Sequence, residues 1–221
     1  MEGTIRTTEL VPALEGSALE LSLLELDGSE LMIGETDRDV LLLVREGPGS
    51  LTLADERFDL ERGSAALVLA DEQATVSAGE NGIAFLRATA GPGTDRHAAL
   101  GPRETVVSLD GSGAESATGS RSFQVLFGPS NGSTRATLFV GYLPPGRAPW
   151  HYHLYDEIVW VPKGPGRLHL EGSETPLEAG SAFRLRPRQV HIVENASADR
   201  ELAVVGIFTP AGSPSAAYLP R

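Results

Sequence analysis

Slid along itself by 117 positions, the sequence matches itself. Residues 39–76 lie over residues 156–193 without a gap and share 13 identities in 38 positions. Val44, Gly47, Pro48, Gly49, Leu51 and Leu53 meet Val161, Gly164, Pro165, Gly166, Leu168 and Leu170. Further on, Leu60, Glu61, Gly63, Ser64 and Ala65 meet Leu177, Glu178, Gly180, Ser181 and Ala182. Residues 83–86 match 202–205 after a two-residue insertion. The shared glycines fall where tight turns join extended segments. A period this long repeats a whole structural unit. The 221 residues are therefore expected to hold two copies of one unit, each about a hundred residues with its flanks.

The repeated unit reads as β-structure. Residues 18–26, 40–45, 50–53, 64–69, 83–87, 137–143, 158–161, 167–170, 181–186 and 202–208 are short and apolar or alternating. Gly, Pro, Asp or Ser punctuates them every few residues. No window of eleven or more residues sustains a helical apolar period. Many short strands at this spacing predict a sandwich or barrel. The stretch 91–121 is rich in Gly, Ala, Ser and Thr, has one strand-like piece at 105–109, and reads as a linker between the copies.

Composition removes several function classes. The chain has no cysteine, which excludes disulfides, zinc–thiolate sites, iron–sulfur clusters and a thiol nucleophile. Residues 1–100 hold 19 acidic and 7 basic side chains and residues 101–221 hold 11 of each, so the formal charge of −12 lies wholly in the first half. An acidic chain is a poor partner for nucleic acid or an anionic membrane. The first sixteen residues carry three glutamates and no apolar run, unlike a secretory signal. The longest apolar stretches, such as 40–44, are too short to span a bilayer. The expected location is cytoplasmic, and the expected partner is a small molecule.

Chemistry concentrates in the second copy. On a strand His151 and His153 point to one face and Tyr152 to the other. Two imidazoles at that spacing can hold one ion, Glu157 can add an oxygen from the following strand, and His191 can close the set from across a barrel. Three nitrogens and a carboxylate suit Fe, Mn, Ni, Co, Cu or Zn without choosing among them.

At these residues the sequence resembles the cupin superfamily. The first cupin motif is matched by Gly146, His151, His153, Glu157 and Gly164, and the second by Gly180, Pro187, His191 and Asn195. The gap from Gly146 to His151 is one residue short of the family pattern. The turn from Pro187 to His191 is also one residue short and lacks the usual glycine. The resemblance implies an all-β chain of two tandem cupin-type jelly-roll β-barrels, a bicupin. Residues 1–90 would form a degenerate N-terminal barrel, 91–121 the linker, and 122–221 a metal-binding barrel. Two such barrels can pack face to face within one chain, so either a monomer or a homodimer is compatible. It implies one divalent transition metal ion per chain, held by His151, His153, Glu157 and His191, with Glu157 also the candidate catalytic proton carrier. Subtracting 117 from the ligands gives Gly34, Thr36, Val40 and Ala74, none of them a good ligand.

Other residues are secondary candidates. Arg147 and Trp150 lie in the loop before His151, Tyr155 lies between the motif ligands, and Arg184 and Arg186 stand where the first copy has Leu67 and Leu69. These five are the candidate substrate contacts, the arginines because their forks suit carboxylate or phosphate groups. Trp160, opposite Leu43 in the repeat, reads as core. His169 reads as a surface or packing residue, and His97 as a loop residue. The resemblance implies a metal-dependent enzyme on a small organic substrate, with dioxygenase-like chemistry favoured over decarboxylase or isomerase chemistry. The alternative is a non-catalytic small-molecule binding or sensing cupin.

Overall fold

The structure is a computed structural model that describes residues 3–11, 18–109, 114–117 and 120–220. Parts of the expected linker, 110–113 and 118–119, lie outside the described residues. Apart from short turns such as the 3-10 turn Pro129–Asn131, the ordered elements are β-strands.

The first half contains β1 (Thr4–Val11), β2 (Leu19–Asp27), β3 (Glu30–Ile33), β4 (Asp39–Glu46), β5 (Gly49–Leu53), β6 (Glu56–Leu60), β7 (Ser64–Val68), β8 (Ala74–Ala78), β9 (Ile83–Ala90) and β10 (Val106–Ser108). They form a six-stranded sheet in the order β1-β2-β9-β4-β7-β10 and a four-stranded sheet β3-β8-β5-β6. The second half contains β11 (Glu115–Ser116), β12 (Ser122–Phe127), β13 (Thr137–Leu143), β14 (Gly146–Arg147), β15 (Asp156–Trp160), β16 (Gly166–Leu170), β17 (Ser173–Leu177), β18 (Ala182–Leu185), β19 (His191–Asn195) and β20 (Leu202–Thr209). Its sheets run β11-β12-β13-β20-β15-β18 and β14-β19-β16-β17. The named strand pairings are antiparallel.

The repeat is visible in the strand limits. Adding 117 to the bounds of β5, β6 and β8 gives β16, β17 and β19, and adding 119 to β9 gives β20. Each half is a jelly-roll barrel of two sheets. The strand-like piece in the linker, β10, is an extra edge strand on β7 of the first barrel.

Strand β4, Asp-Val-Leu-Leu-Leu-Val-Arg-Glu, does not alternate apolar with polar, because both of its faces are covered. Val40, Leu42 and Val44 pack inside the first barrel with Leu51, Val76 and Phe85. Leu41 and Leu43 point the other way, into a cluster shared with Leu138, Val140, Ile158, Trp160 and Ile207 of the second barrel. The two six-stranded sheets therefore pack face to face within one chain. Trp160 belongs to this interface, with the Arg45 guanidinium 4.7 Å above its ring. The interior of the second barrel is a separate apolar cluster, including Leu143, Val159, Leu185, Val193 and Val204.

Candidate metal centre

Strand β15 sends alternate side chains to opposite faces. Ile158 and Trp160 face the first barrel, so Glu157 and Val159 face the interior. On the neighbouring sheet, β19 places His191 and Val193 inward. His151 joins it through an isolated antiparallel bridge, with His151 N–H donating to the His191 carbonyl at 3.2 Å and His191 N–H to the His151 carbonyl at 2.9 Å. His153 follows on the same face as His151. The turn that delivers His191 lacks the glycine of the family pattern, and Arg188 takes the left-handed conformation instead, with φ 66°. Its N–H donates to the His153 carbonyl at 2.6 Å, which ties the turn to the first histidine pair.

The three imidazoles converge. Ring centroids of His151 lie 5.1 Å from His153 and 4.5 Å from His191, and His153 and His191 are 5.0 Å apart. One ring nitrogen from each lies within 4.8 Å of the others, and all three rings are buried. They form the one such group of three or more ligating side chains among the described residues.

Each outer nitrogen faces a backbone carbonyl. His151 Nδ1 is 2.9 Å from the Pro149 carbonyl, His191 Nδ1 is 2.9 Å from that of Gln189, and His153 Nδ1 is 3.4 Å from that of Ala216. A carbonyl only accepts, so each Nδ1 carries the proton and each Nε2 presents its lone pair to the centre. Burial also keeps the rings neutral. It lowers the pKa of all three, to about 4 for His153 and about 3 for His191, against a raising effect of these same carbonyl bonds. Neutral, oriented, buried nitrogens are what a divalent transition metal requires, so the residues fit the group that the sequence pattern implies.

Glu157 is fully buried beside this set. Its Oε2 is 3.6 Å from His153 Nε2. Burial, and secondarily the Asp156 charge, raise its pKa to about 8 in the metal-free protein. The three-histidine group closes without it. The space for the Glu157 carboxylate depends on Gly206, where a Cβ would lie 3.0 Å from Oε1 and 2.2 Å from the Phe139 ring.

Tyr155 supports the centre. Its ring stacks on His153 at 4.6 Å and on Phe208 at 3.9 Å, and Phe208 meets Phe139 edge-on at 5.9 Å. An aromatic column thus runs from a candidate ligand into the barrel wall. Tyr155 also borders the cavity in front of the histidines. This cavity measures about 90 Å³. Its walls are largely apolar, with Phe139, Leu143, Val159, Leu185 and Val204 among them.

The other candidate substrate contacts lie outside this cavity. Arg184 projects from the same face as Ile158, its cross-strand partner, toward the first barrel. There it forms a two-pronged ion pair with Asp156, at 2.6 and 2.7 Å. Arg186 is exposed in the following turn. Trp150 is exposed on the loop and does not border the cavity. Arg147 lies on the outer face of the β14-β19-β16-β17 sheet, 2.7 Å from His169 Nδ1 and 3.2 Å from Glu194. That partnership bears out the packing alternative for His169 over the surface one. It is buried under Arg147, and its Nε2–H donates to Glu194 at 2.5 Å.

Two contributors carried no recognisable signal in the sequence. One is the C-terminal segment. Pro214, Ser215 and Ala217 border the cavity, and Tyr218 pairs with Tyr152 through two 2.9 Å backbone bonds and a stacked ring contact. The other is Arg121, at the start of β12.

Fold and site together define a tandem-barrel, all-β protein whose second barrel encloses a metal-ready histidine cluster. Residues 138–208 match the family model described as a cupin domain, so the second barrel carries the cupin-domain match. No curated protein matches the chain. Solved structures resemble it over nearly its full length. A putative glyoxylate-induced protein from Pseudomonas aeruginosa superposes with a TM-score of 0.78 and 16% identity, over 92% of this chain and 79% of that one. A variant of Bacillus subtilis oxalate decarboxylase gives 0.77 and 14%, over 98% and 75%. AerE from Microcystis aeruginosa gives 0.71 and 13%, over 87% and 88%. At these identities the likeness is one of fold. No helix among the described residues is long and apolar enough to cross a membrane.

Proposed function

We propose that the chain is a metal-dependent enzyme acting on a small organic substrate that reaches the ion with its oxygens. The observation that carries this reading is the set of three buried, neutral imidazoles whose Nε2 atoms converge at the wall of a cavity. His151, His153 and His191 would hold one divalent ion, and Glu157 would be its fourth ligand. Fe, Mn, Ni, Co, Cu and Zn all accept this donor set. Mn(II) centres are described for the Bacillus subtilis oxalate decarboxylase that shares the fold. The bound ion would supply Lewis-acid or redox chemistry to the substrate oxygens. The protein's own contributions are separate. The apolar walls exclude water, the Tyr155–Phe208 column fixes the His153 ring, and Glu157, ionised where it ligates, is placed to take up and return a proton at its carboxylate. Within the superfamily such a set serves dioxygenase-, decarboxylase- and isomerase-type reactions, with dioxygenase-like chemistry the preferred assignment here.

Glu157→Gln tests the enzyme reading, because it keeps the side-chain volume and removes the acid–base function. The expected result is that metal is retained at reduced affinity while turnover falls by roughly 10²- to 10⁴-fold. Oxygen uptake and product formation would be screened with catechols, diketones, flavonols and small carboxylic acids. Tight substrate binding without turnover in the wild-type protein would instead make it a binding protein.

A further inference from the structure

The segment that follows β20 is held firmly at two places. At its start, Gly212 N–H donates to Thr137 Oγ1 at 3.0 Å, and the Gly212 carbonyl accepts from the same hydroxyl at 2.9 Å. Further on, Tyr152 and Tyr218 exchange two backbone bonds of 2.9 Å, and their rings stack at 5.5 Å and 19°. Between these points the contacts with the barrel are long. The Ala216 carbonyl is 3.4 Å from His153 Nδ1, and the Tyr155 hydroxyl donates to the Pro214 carbonyl at 3.5 Å, both near the limit of a hydrogen bond. Short bonds within the segment keep it together: Ala216 N–H donates to the Ser213 carbonyl at 3.2 Å, and Ala217 N–H to that of Ser215 at 2.8 Å. Its side chains are exposed at Ser213, Ser215, Ala216 and Tyr218 and half-buried at Pro214 and Ala217. A self-bonded stretch with so little buried against the barrel opens locally at low free energy.

Its position gives that opening a consequence. The run from His151 to His153 carries two bridges in succession, His151 to His191 and Tyr152 to Tyr218. The three imidazoles are oriented differently. His151 and His191 each take a carbonyl two residues away, at 2.9 Å. His153 takes its carbonyl from Ala216, 63 residues further along the chain. Pro214, Ser215 and Ala217 of the same segment border the cavity.

We propose that this segment is a strap that opens at the Tyr152–Tyr218 clasp, and that Tyr218 acts through it as a positioning residue for His153. With the clasp shut, the Ala216 carbonyl keeps the proton on His153 Nδ1, Nε2 presents its lone pair to the centre, and the strap walls the cavity. With the clasp open, the cavity loses that wall and His153 loses its orienting acceptor, so entry to the site and the geometry of one ligand change together. The significance of His153 as a ligand rests on the metal-site reading above; the opening of the strap does not.

The test compares the full chain with Tyr218→Ala and with Tyr218→Phe, which keeps the stacking ring. Amide exchange on metal-free protein reads the clasp. In the wild type the Tyr152 amide is expected to exchange at least about tenfold faster than the His191 amide, because the strap opens while the barrel stays closed. Tyr218→Ala should speed exchange at Tyr152 by about two- to tenfold, the value of one stacked aromatic pair. The His191 amide should be unmoved, the melting temperature should stay within about 2 °C of the wild type, and Tyr218→Phe should restore the wild-type rate. Nitrogen–proton correlation of the imidazoles reads the positioning. His153 should carry its proton on Nδ1 in the wild type and divide it between both nitrogens in Tyr218→Ala, with His151 and His191 unchanged. Release of Zn(II) to a chelator should quicken in Tyr218→Ala by about the factor seen at the Tyr152 amide. A Tyr152 amide as protected as that of His191, or a Tyr218→Ala variant with unaltered Tyr152 exchange or an unaltered His153 proton position, overturns the proposal. A chain that takes up no Zn(II) contradicts the metal-site reading alone, since exchange and proton position still decide the strap.

Discussion

Replacing His151 and His153 together with alanine should empty the centre and leave the fold. The two side chains supply two of the three converging nitrogens, and one imidazole with the Glu157 carboxylate holds a transition metal only weakly against the competing ligands of solution. Both rings border the cavity, so removing them widens a space already there. The double variant should therefore keep its β-sheet circular dichroism and elution volume while its metal content falls from near one per chain to near zero. Metal-dependent turnover should fall by at least about 10³-fold, since both binding and activation are removed together. The wild type should also melt higher when loaded, by the linkage that gives about 2.7 kcal/mol at a hundredfold excess over Kd. The double variant should show no such rise. An unchanged metal content would remove these residues from the site.

The second large effect belongs to Phe208→Ala. Phe208 is fully buried, stacks on Tyr155 and meets Phe139 edge-on. Truncating a buried phenylalanine costs about 3–5 kcal/mol. For a chain of this length that is a drop of roughly 6–20 °C in melting temperature. The site should feel it too, because Tyr155 loses the ring behind it and no longer fixes His153. Metal affinity measured on the folded variant should fall while Tyr152→Ala, on the opposite face of the His151–His153 segment, should change it less. A melting temperature within about 2 °C of the wild type would mean that the column is not structural.

Much of this architecture could be read from residues alone, for identifiable reasons. The glycine-rich turns at 47–49 and 164–166 fix the repeat register, and the strand limits follow it to the residue in three of the four-stranded-sheet pairs. His151, His153 and His191 were legible because ligand chemistry needs particular side chains at particular spacings. Two of the strands that periodicity missed are of another kind. β1 is exposed along nearly its whole length, and β17 is exposed at four of five positions. With no buried face they show no alternation. Alternation also says which residues share a face without saying which face is the interior. Arg184 shares a face with Ile158 and so looks at the other barrel, not at the cavity. The carbonyls of Pro149, Gln189 and Ala216 that orient the histidines leave no trace in side-chain identity, and the C-terminal segment that borders the cavity was invisible for the same reason.

The counterparts of the ligands in the first barrel offer no ligating side chains. Val40 and Ala74 lie in its apolar interior, and Gly34 packs so closely on the Glu72 carbonyl that a Cβ would sit 2.2 Å from it. The excess negative charge of the first hundred residues accompanies this filled barrel, and none of its carboxylates belongs to a ligating group among the described residues.

Elemental analysis of protein purified without a histidine tag tests the central claim most directly. The account predicts one transition metal ion per chain, lost on replacing His151 and His153. A stoichiometry of two would place a second centre in the first barrel, and a metal-free chain that takes up no divalent ion on reconstitution would contradict the assignment of the three histidines.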